Sequence, residues 1–474
     1  MIRLSICFCA LVLSGLTAAA PAASSGGAVS SSISTIGTPT ESSVVVPSSA
    51  APSISTGTDT APPAYETVPV ISLDPNFPEW NESTTEEPEA IRGSLGATII
   101  GPVNGAIDKQ NPDLLAPPIT GHGSMSNAKW PFSLSNNRLQ TGGWARQQNV
   151  DQMPLAQQMA GVNMRMRLEP GAIRELHWHK NAEWAYVLKG TTQVSAVDQD
   201  GRNYVANVGP GDLWYFPPGI PHSLQATDDS PDGTEFLLVF DSGDFDEDST
   251  FLLTDWMAHV PAEVLSKNFQ VDVDAFKNVP AKELYIFPAN PPETDNAPSD
   301  PQGTAPESFS FNLSQVKSTQ LSGGSVKVVD SSTFKVSRTI AAAEVTVEPG
   351  AMRELHWHPT QDEWSFFIEG SARMTIFAAE SNAHTFDYQA GDIGYVPATF
   401  EVIFTMASAG HYVENVGNTT MKYLEIFRSD KFQDISLNQW LALTPPAVVK
   451  AHLGFSDDVI AKLTKTKQTV VGPA

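Results

Sequence analysis

Apolar and polar positions along this chain change places over short distances. Runs such as TTQVSAVD (191–198), EFLLVF (235–240), AEVTV (343–347) and ARMTIFAA (372–379) are brief, often alternate, and contain many β-branched residues. Period-two patterning puts alternate side chains on one face of an extended strand. Turns carrying Gly or Pro separate these runs at about 8–12 residues, the spacing of a small antiparallel sandwich or barrel. Helical spacing is confined to LTDWMAHVPAEVLSKNF (253–269) and LNQWLALTPPAVVKAHL (437–453). The pattern therefore predicts an all-β architecture with packed helices at the domain ends.

The pattern also repeats. Residues 169–190 read EPGAIRELHWHKNAEWAYVLKG, and residues 348–370 read EPGAMRELHWHPTQDEWSFFIEG. The offset is 179 from Glu169/Glu348 through His179/His358 and 180 from Glu183/Glu363 to Pro217/Pro397. A duplication over that distance predicts two homologous domains in tandem.

Two stretches fall outside it. Residues 21–64 are dominated by Ser, Thr, Ala, Pro and Gly and bury too little apolar surface to offset their ordering entropy. Ser/Thr with Pro reads either as an O-glycosylated stalk or pro-segment, or as a plain disordered linker. PANPPETDNAPSDPQGTAP (288–306) is Pro-rich and acidic, as inter-domain linkers often are.

Composition changes the picture in three ways. The 474 residues hold 28 Lys+Arg against 53 Asp+Glu, a formal net charge of −25, which argues against a nucleic-acid partner because phosphates need a basic face. The same charge opposes the approach of small dianions at neutral pH and predicts faster turnover of such a substrate in acid. The only cysteines, Cys7 and Cys9, lie in MIRLSICFCALVLSGLTAAA, where Arg3, an apolar stretch and small residues read as a signal peptide (1–20) cleaved near residues 19–23. That segment is short for a transmembrane span, so no membrane partner is expected. The expected location is secreted and extracellular, and the sequons at Asn81, Asn312 and Asn418 are consistent with it.

Six of the ten histidines sit in the repeats. His177 and His179 flank Trp178, and residues two apart on a strand face the same way. Glu183 follows past a turn, and His222 lies downstream in GDLWYFPPGIPHSLQ. Three imidazoles and one carboxylate suit one divalent transition metal. The second copy supplies His356, His358, Glu363 and His411. Ordinary surface His-x-His pairs would account for one occurrence, but the full set occurs twice.

Gly171, His177, His179, Glu183 and Gly190, then Gly211, Pro217, Gly219 and His222, fit the two motifs of the cupin signature. The duplicated chain resembles the bicupin oxalate decarboxylases of fungi and bacteria, over most of residues 120–460, including GGWARQ (142–147), GDIGYVP (391–397) and LNQWLA (437–442). The resemblance implies two cupin barrels of the double-stranded β-helix, jelly-roll type, spanning 120–287 and 307–474, with residues 65–119 as an N-terminal extension. It also implies two manganese(II) ions per chain, oxalate as substrate and dioxygen as a cofactor. The residues do not decide between a monomer and a homo-oligomer.

Arg174 and Arg353 stand three residues before the first ligand of each copy. A guanidinium there suits a small dicarboxylate, or else pairs with a neighbour such as Glu175 or Glu354. An odd spacing from His177 puts Arg174 on the wrong face of a regular strand, so a bend or bulge is needed, which Gly171 would permit. Family decarboxylases carry a catalytic Glu in a Ser-Glu-Asn-Ser-Thr lid. Here the matching residues are Asp246, Glu247, Asp248, Ser249 and Thr250, with Asp at the first and third places. The resemblance makes Glu247 the acid/base; by charge pattern alone the segment reads as a solvated acidic loop. Aligning EFLLVFDS with KYLEIFRS sets Glu425 opposite Leu238, on an inner strand and within reach of the second metal. Pro397 to His411 spans fourteen residues where Pro217 to His222 spans five, so nine extra residues precede His411 within ATFEVIFTMASAGH. An oxalate oxidase, releasing hydrogen peroxide, would share the metal ligands, and a storage or binding bicupin is the non-enzymatic alternative.

Overall fold

The computed structural model describes residues 121, 125–378, 382–397 and 409–473. The expected signal peptide, the Ser/Thr/Pro-rich segment, the extension to residue 119, and residues 398–408, where the nine-residue excess falls, lie outside them.

Strands dominate, and every pairing between them is antiparallel. Each repeat builds one barrel from two sheets. In the first barrel, Glu183–Lys189, Thr234–Phe240 and Ala160–Leu168 are neighbours in a seven-stranded sheet. Ile173–Trp178, His222–Ala226, Thr192–Val197 and Asn203–Val208 form the core of the facing sheet. The second barrel repeats this with Glu363–Glu369, Met421–Phe427 and Ala341–Val347 against Met352–Trp357, Gly410–Asn415 and Ser371–Phe377. Tight turns make the alternation possible. Gly190, at the end of the first motif, has φ +64°, and a Cβ there would sit 2.1 Å from Gly233 O, so only glycine fits.

The two sheets of a barrel differ in patterning because they differ in surroundings. Thr192–Val197 buries Val194 and Ala196 in its barrel and leaves Gln193 and Ser195 partly exposed. Thr234–Phe240 has no such alternation. Phe236, Leu238 and Phe240 fill the barrel, while Leu237 and Val239 point outward into a second apolar cluster. That cluster joins the barrels: Trp184, Leu237 and Val239 of the first pack with Trp364, Leu424 and Ile426 of the second. A sheet covered on both faces reads as a continuous apolar run.

The barrels also exchange strands. Lys129–Pro131, ahead of the first barrel, pairs with Asp392–Gly394 of the second, and Lys129 meets Asp392 at 3.4 Å in a buried ion pair. Ser310–Phe311, ahead of the second barrel, pairs with Leu213–Trp214 of the first. A short strand ahead of each barrel is therefore lent to the other.

Helices follow each barrel: Leu253–Ala258 and Ala262–Phe269, then Leu437–Leu443, Pro446–Leu453 and Asp457–Lys462, with breaks at Pro261, Pro445 and Gly454. They are less packed than the spacing predicts, since Leu265 and Val449 are their only buried residues. Among the described residues no helix is long and apolar enough to cross a membrane.

Trp364 shows how the inter-barrel contact is held. It is fully buried, its indole lies against Gly161, and its Nε1 donates to Gln148 Oε1 at 2.9 Å. Trp364→Ala should lower the unfolding free energy by about 3–5 kcal/mol, the usual cost of truncating a buried Trp. Chemical denaturation checks this, and a cost near zero would mean that the contact contributes no stability.

Candidate metal centres

The hydrogen-bond ladder carries the histidines to one point. His177 lies on Ile173–Trp178 and pairs in register with His222, which opens the neighbouring strand. His179 follows the first strand, and Glu183 opens the strand after it. The donor atoms of His177, His179, Glu183 and His222 all lie within 4.8 Å of one another, and all four residues are buried. Each imidazole is oriented by a backbone carbonyl: His177 Nδ1 on Glu175 O at 2.6 Å, His179 Nδ1 on Asn181 O at 2.7 Å, His222 Nδ1 on Ile220 O at 2.8 Å. A carbonyl only accepts, so the proton belongs on Nδ1 and the Nε2 lone pair is left for the centre.

The second barrel repeats the arrangement with His356, His358, Glu363 and His411. Their Nδ1 atoms meet Glu354 O at 2.7 Å, Gln433 O at 2.7 Å and Ala409 O at 3.2 Å. His411 pairs with His356 as His222 does with His177, so the excess residues before it leave its register unchanged.

The donors fit a divalent cation. Glu183 Oε2 lies 3.2 Å from His179 Nε2 and 3.3 Å from His222 Nε2, and Glu363 Oε2 lies 3.0 Å from both His358 Nε2 and His411 Nε2. Lone pairs facing a carboxylate at that range repel unless positive charge lies between them. The Nε2 atoms of His222 and His356 are buried with no hydrogen-bond partner. Outside each ring of donors, Trp214 Nε1 donates to Glu183 Oε1 at 2.8 Å and Ser365 Oγ to Glu363 Oε1 at 2.5 Å.

Burial would raise the Glu183 and Glu363 carboxyls, but in the absence of a cation positive charge on the facing imidazoles outweighs it and holds both well below the usual range. His177 and His356 are pushed well below the ordinary imidazole value of 6.5, first by burial and then by Arg174 and Arg353. A depressed carboxyl contributes stability above its unfolded value and loses it as pH falls through the folded one. A depressed imidazole stays neutral in the fold while the unfolded chain takes up protons below 6.5. Both act in the same direction. After chelation, the melting temperature should fall steadily from about pH 7 to about pH 4; a flat profile would contradict these shifts.

The comparisons agree with this geometry. The family model described as Cupin matches residues 132–277 and 311–461. Oxalate decarboxylase OxdC of Bacillus subtilis is 52% identical over 386 residues, covering 81% of this chain and 97% of that protein. A probable oxalate decarboxylase of Arthroderma benhamiae is 40% identical over 381 residues, covering 79% of this chain and 91% of its own. A solved structure from a study of Mn(II) centres in Bacillus subtilis oxalate decarboxylase superposes with a TM-score of 0.76 at 50% identity, over 82% of this chain and 100% of that one.

The chain belongs to the bicupin oxalate decarboxylase family. Within this bicupin the two arginines have different partners. Arg174 is buried and donates through Nη2 to Glu247 Oε1 at 2.7 Å. Tyr285 OH donates to the same oxygen at 2.8 Å, and the Tyr285 ring lies 4.1 Å from the guanidinium carbon. Burial, then the Glu247 charge, push the Tyr285 phenol well above its ordinary value, so it remains a donor. Arg353 instead meets Glu425 Oε1 at 3.0 Å through Nε and Asp434 Oδ2 at 2.7 Å through Nη2. Tyr423 OH also donates to Glu425 Oε1, at 2.7 Å. Burial opposes the charge on Arg353, but Glu425 and Asp434 outweigh it and raise its value.

The bulge that Arg174 needs is present, though not at Gly171. Between Arg174 and His177 the strand advances three residues while its partner advances two, from Leu224 to His222; Arg353 and His356 show the same shift. Gly171 serves the preceding turn, at φ +80°, where a Cβ would sit 2.3 Å from Ala289 O. The neighbouring acids are not the arginines' partners. Glu175 accepts Thr254 N at 2.7 Å and Tyr285 N at 2.7 Å, tying the helical end to the barrel, and Glu354 accepts Ser436 Oγ at 2.7 Å and Thr469 N at 2.9 Å.

Tyr285 and Asp434 carry no sequence signal. Tyr285 occupies the same register as Thr469, both at positive φ, but only the longer side chain reaches the acid loop. That loop, Asp244–Thr250, separates two clefts. One, of about 430 Å³, is lined by Arg138, Gln147, Glu247 and Tyr285. The other, of about 410 Å³, is lined by Trp178, His179, Gly219 and Phe251.

Proposed function

We propose that this chain is a secreted manganese-dependent oxalate decarboxylase that needs dioxygen and whose chemistry takes place in the first barrel. The family membership and the doubled set of three imidazoles and one carboxylate support the reaction class. The observation that carries the choice of barrel is the buried cluster of Arg174, Glu247 and Tyr285 on a loop with clefts on both sides. In the second barrel Glu425 and Asp434 engage the arginine from two sides.

His177, His179, Glu183 and His222 would hold manganese(II), which supplies Lewis-acid and one-electron chemistry when bound. Arg174 offers a guanidinium to one carboxylate of oxalate, in place of the Glu247 carboxylate it now holds. The Glu247 carboxylate then takes the proton of the oxalate monoanion and returns it to carbon after carbon dioxide leaves. The monoanion HC2O4⁻ thereby becomes CO2 and HCO2⁻, with no net oxidation. Tyr285 holds Glu247 in place and shields it. Phe245 stacks on Phe240 at 3.6 Å, and both rings meet His179 edge-on, so the base of the loop is packed with apolar surface that excludes water.

Incubating the manganese-loaded protein with ¹³C-oxalate in air and measuring formate by NMR beside peroxide tests the reading. Formate as the main product is expected. Peroxide with two equivalents of carbon dioxide would make it an oxidase, and neither product would make it a binding protein.

A further inference from the structure

We infer that Gln147 is a positioning residue that latches the acid loop over the first metal centre and so sets the ratio of formate to peroxide. The inference deepens the functional reading above and rests on it for the identity of the products.

Residues 147–150 run alongside the loop and hold it step by step. Val150 N donates to Gly243 O at 3.0 Å, and Asn149 Nδ2 donates to Phe245 O at 3.1 Å. The next contact is made by Gln147. Its Oε1 accepts Glu247 N at 2.9 Å, and its Nε2 lies 3.4 Å from Asp246 Oδ1. Gln147 thus grips the backbone of the residue whose side chain reaches Arg174. The strand beneath is rigid, because adjacent Gln148 faces the other way, is fully buried, and accepts Trp364 Nε1 from the second barrel.

The side-chain chemistry is matched. Asp246 also caps the short 3-10 turn, accepting Asp248 N at 3.0 Å. A carboxylate at 246 needs a donor opposite, and an amide at 147 supplies one while keeping an acceptor for Glu247 N. Asp246 is one of the two places where this loop departs from the family's Ser-Glu-Asn-Ser-Thr. With the latch intact, Glu247 stays beside Arg174 and Tyr285 and returns the proton to carbon. With it lost, the loop opens, and dioxygen competes for the intermediate.

Three variants test this: Gln147→Ala, Gln147→Glu, and Gln147→Glu combined with Asp246→Ser. Gln147→Ala should cut formate turnover on the order of ten-fold, the value of one hydrogen bond. It should also raise the peroxide fraction at unchanged manganese content. Gln147→Glu should raise the peroxide fraction further, since two carboxylates would face each other. Adding Asp246→Ser restores a donor and should return the ratio toward wild type. Hydrogen exchange of the peptide containing Glu247 gives a readout independent of products: faster in both single variants, slowed again in the double. An unchanged product ratio in Gln147→Ala, unchanged exchange, or loss of both products in step with lost manganese would each overturn the inference. If the wild type made no formate, the functional reading would fall, while the exchange experiment would still decide the latch.

Discussion

His177→Ala should abolish formate production and reduce bound manganese to what the second barrel alone holds. His177 is one of four donors in a buried cluster, and its Nδ1 is committed to Glu175 O, which leaves its Nε2 for the centre. Changes outside the ring of ligands already cost about 10–100-fold in metal affinity or activity, and losing a ligand should exceed that. His356→Ala should empty the second centre and leave most formate production in place. Metal analysis and a formate assay on both variants decide the matter. If His356→Ala lost formate while His177→Ala kept it, the chemistry would belong to the second barrel.

Glu247→Ala should leave manganese content unchanged, lower formate production by roughly 10²-fold or more, the range for losing a general acid/base, and raise the peroxide fraction. The variant removes the acceptor shared by Arg174 Nη2 and Tyr285 OH; Tyr285 lines a cleft and can turn to water, while Arg174 keeps Tyr285 O at 3.4 Å through Nη1. Glu425→Ala should behave differently. Glu425 is fully buried, and removing it leaves Arg353 with Asp434 alone and Tyr423 OH without its acceptor, at a cost of up to about 3–5 kcal/mol, that of breaking a buried pair. Its cost should therefore appear in thermal stability before it appears in formate turnover. Glu247→Ala with a wild-type formate rate would falsify the placement of the acid/base.

Much of the candidate site is legible in the chain because it is local. His177 and His179 are two residues apart on a strand, Glu183 lies just past the turn, and these three recur 179 or 180 residues later. The β period, the Gly-bearing turns and the duplication point to two barrels in the same way, since strand patterning depends on which face is wet. The arginines' partners are not local. Arg174 finds Glu247 73 residues away and Arg353 finds Glu425 72 residues away, although the copies match almost residue for residue around each arginine. One acid comes from a loop and the other from an inner strand, so the repeat conceals the difference.

By itself the sequence determined the candidate ligand sets, the two-barrel architecture and the acid loop, because each is written in spacing, period or charge over a few residues. Only the tertiary structure decided which charge meets which. It placed the bulge at Glu175 and Leu176 that turns Arg174 inward, and brought Tyr285 and Gln147 to opposite ends of Glu247. It also joined the outer faces of two sheets into one apolar cluster and lent a strand from each barrel to the other. These features depend on contacts between segments tens to hundreds of residues apart, and no local pattern of side chains records which distant partner a buried group will find.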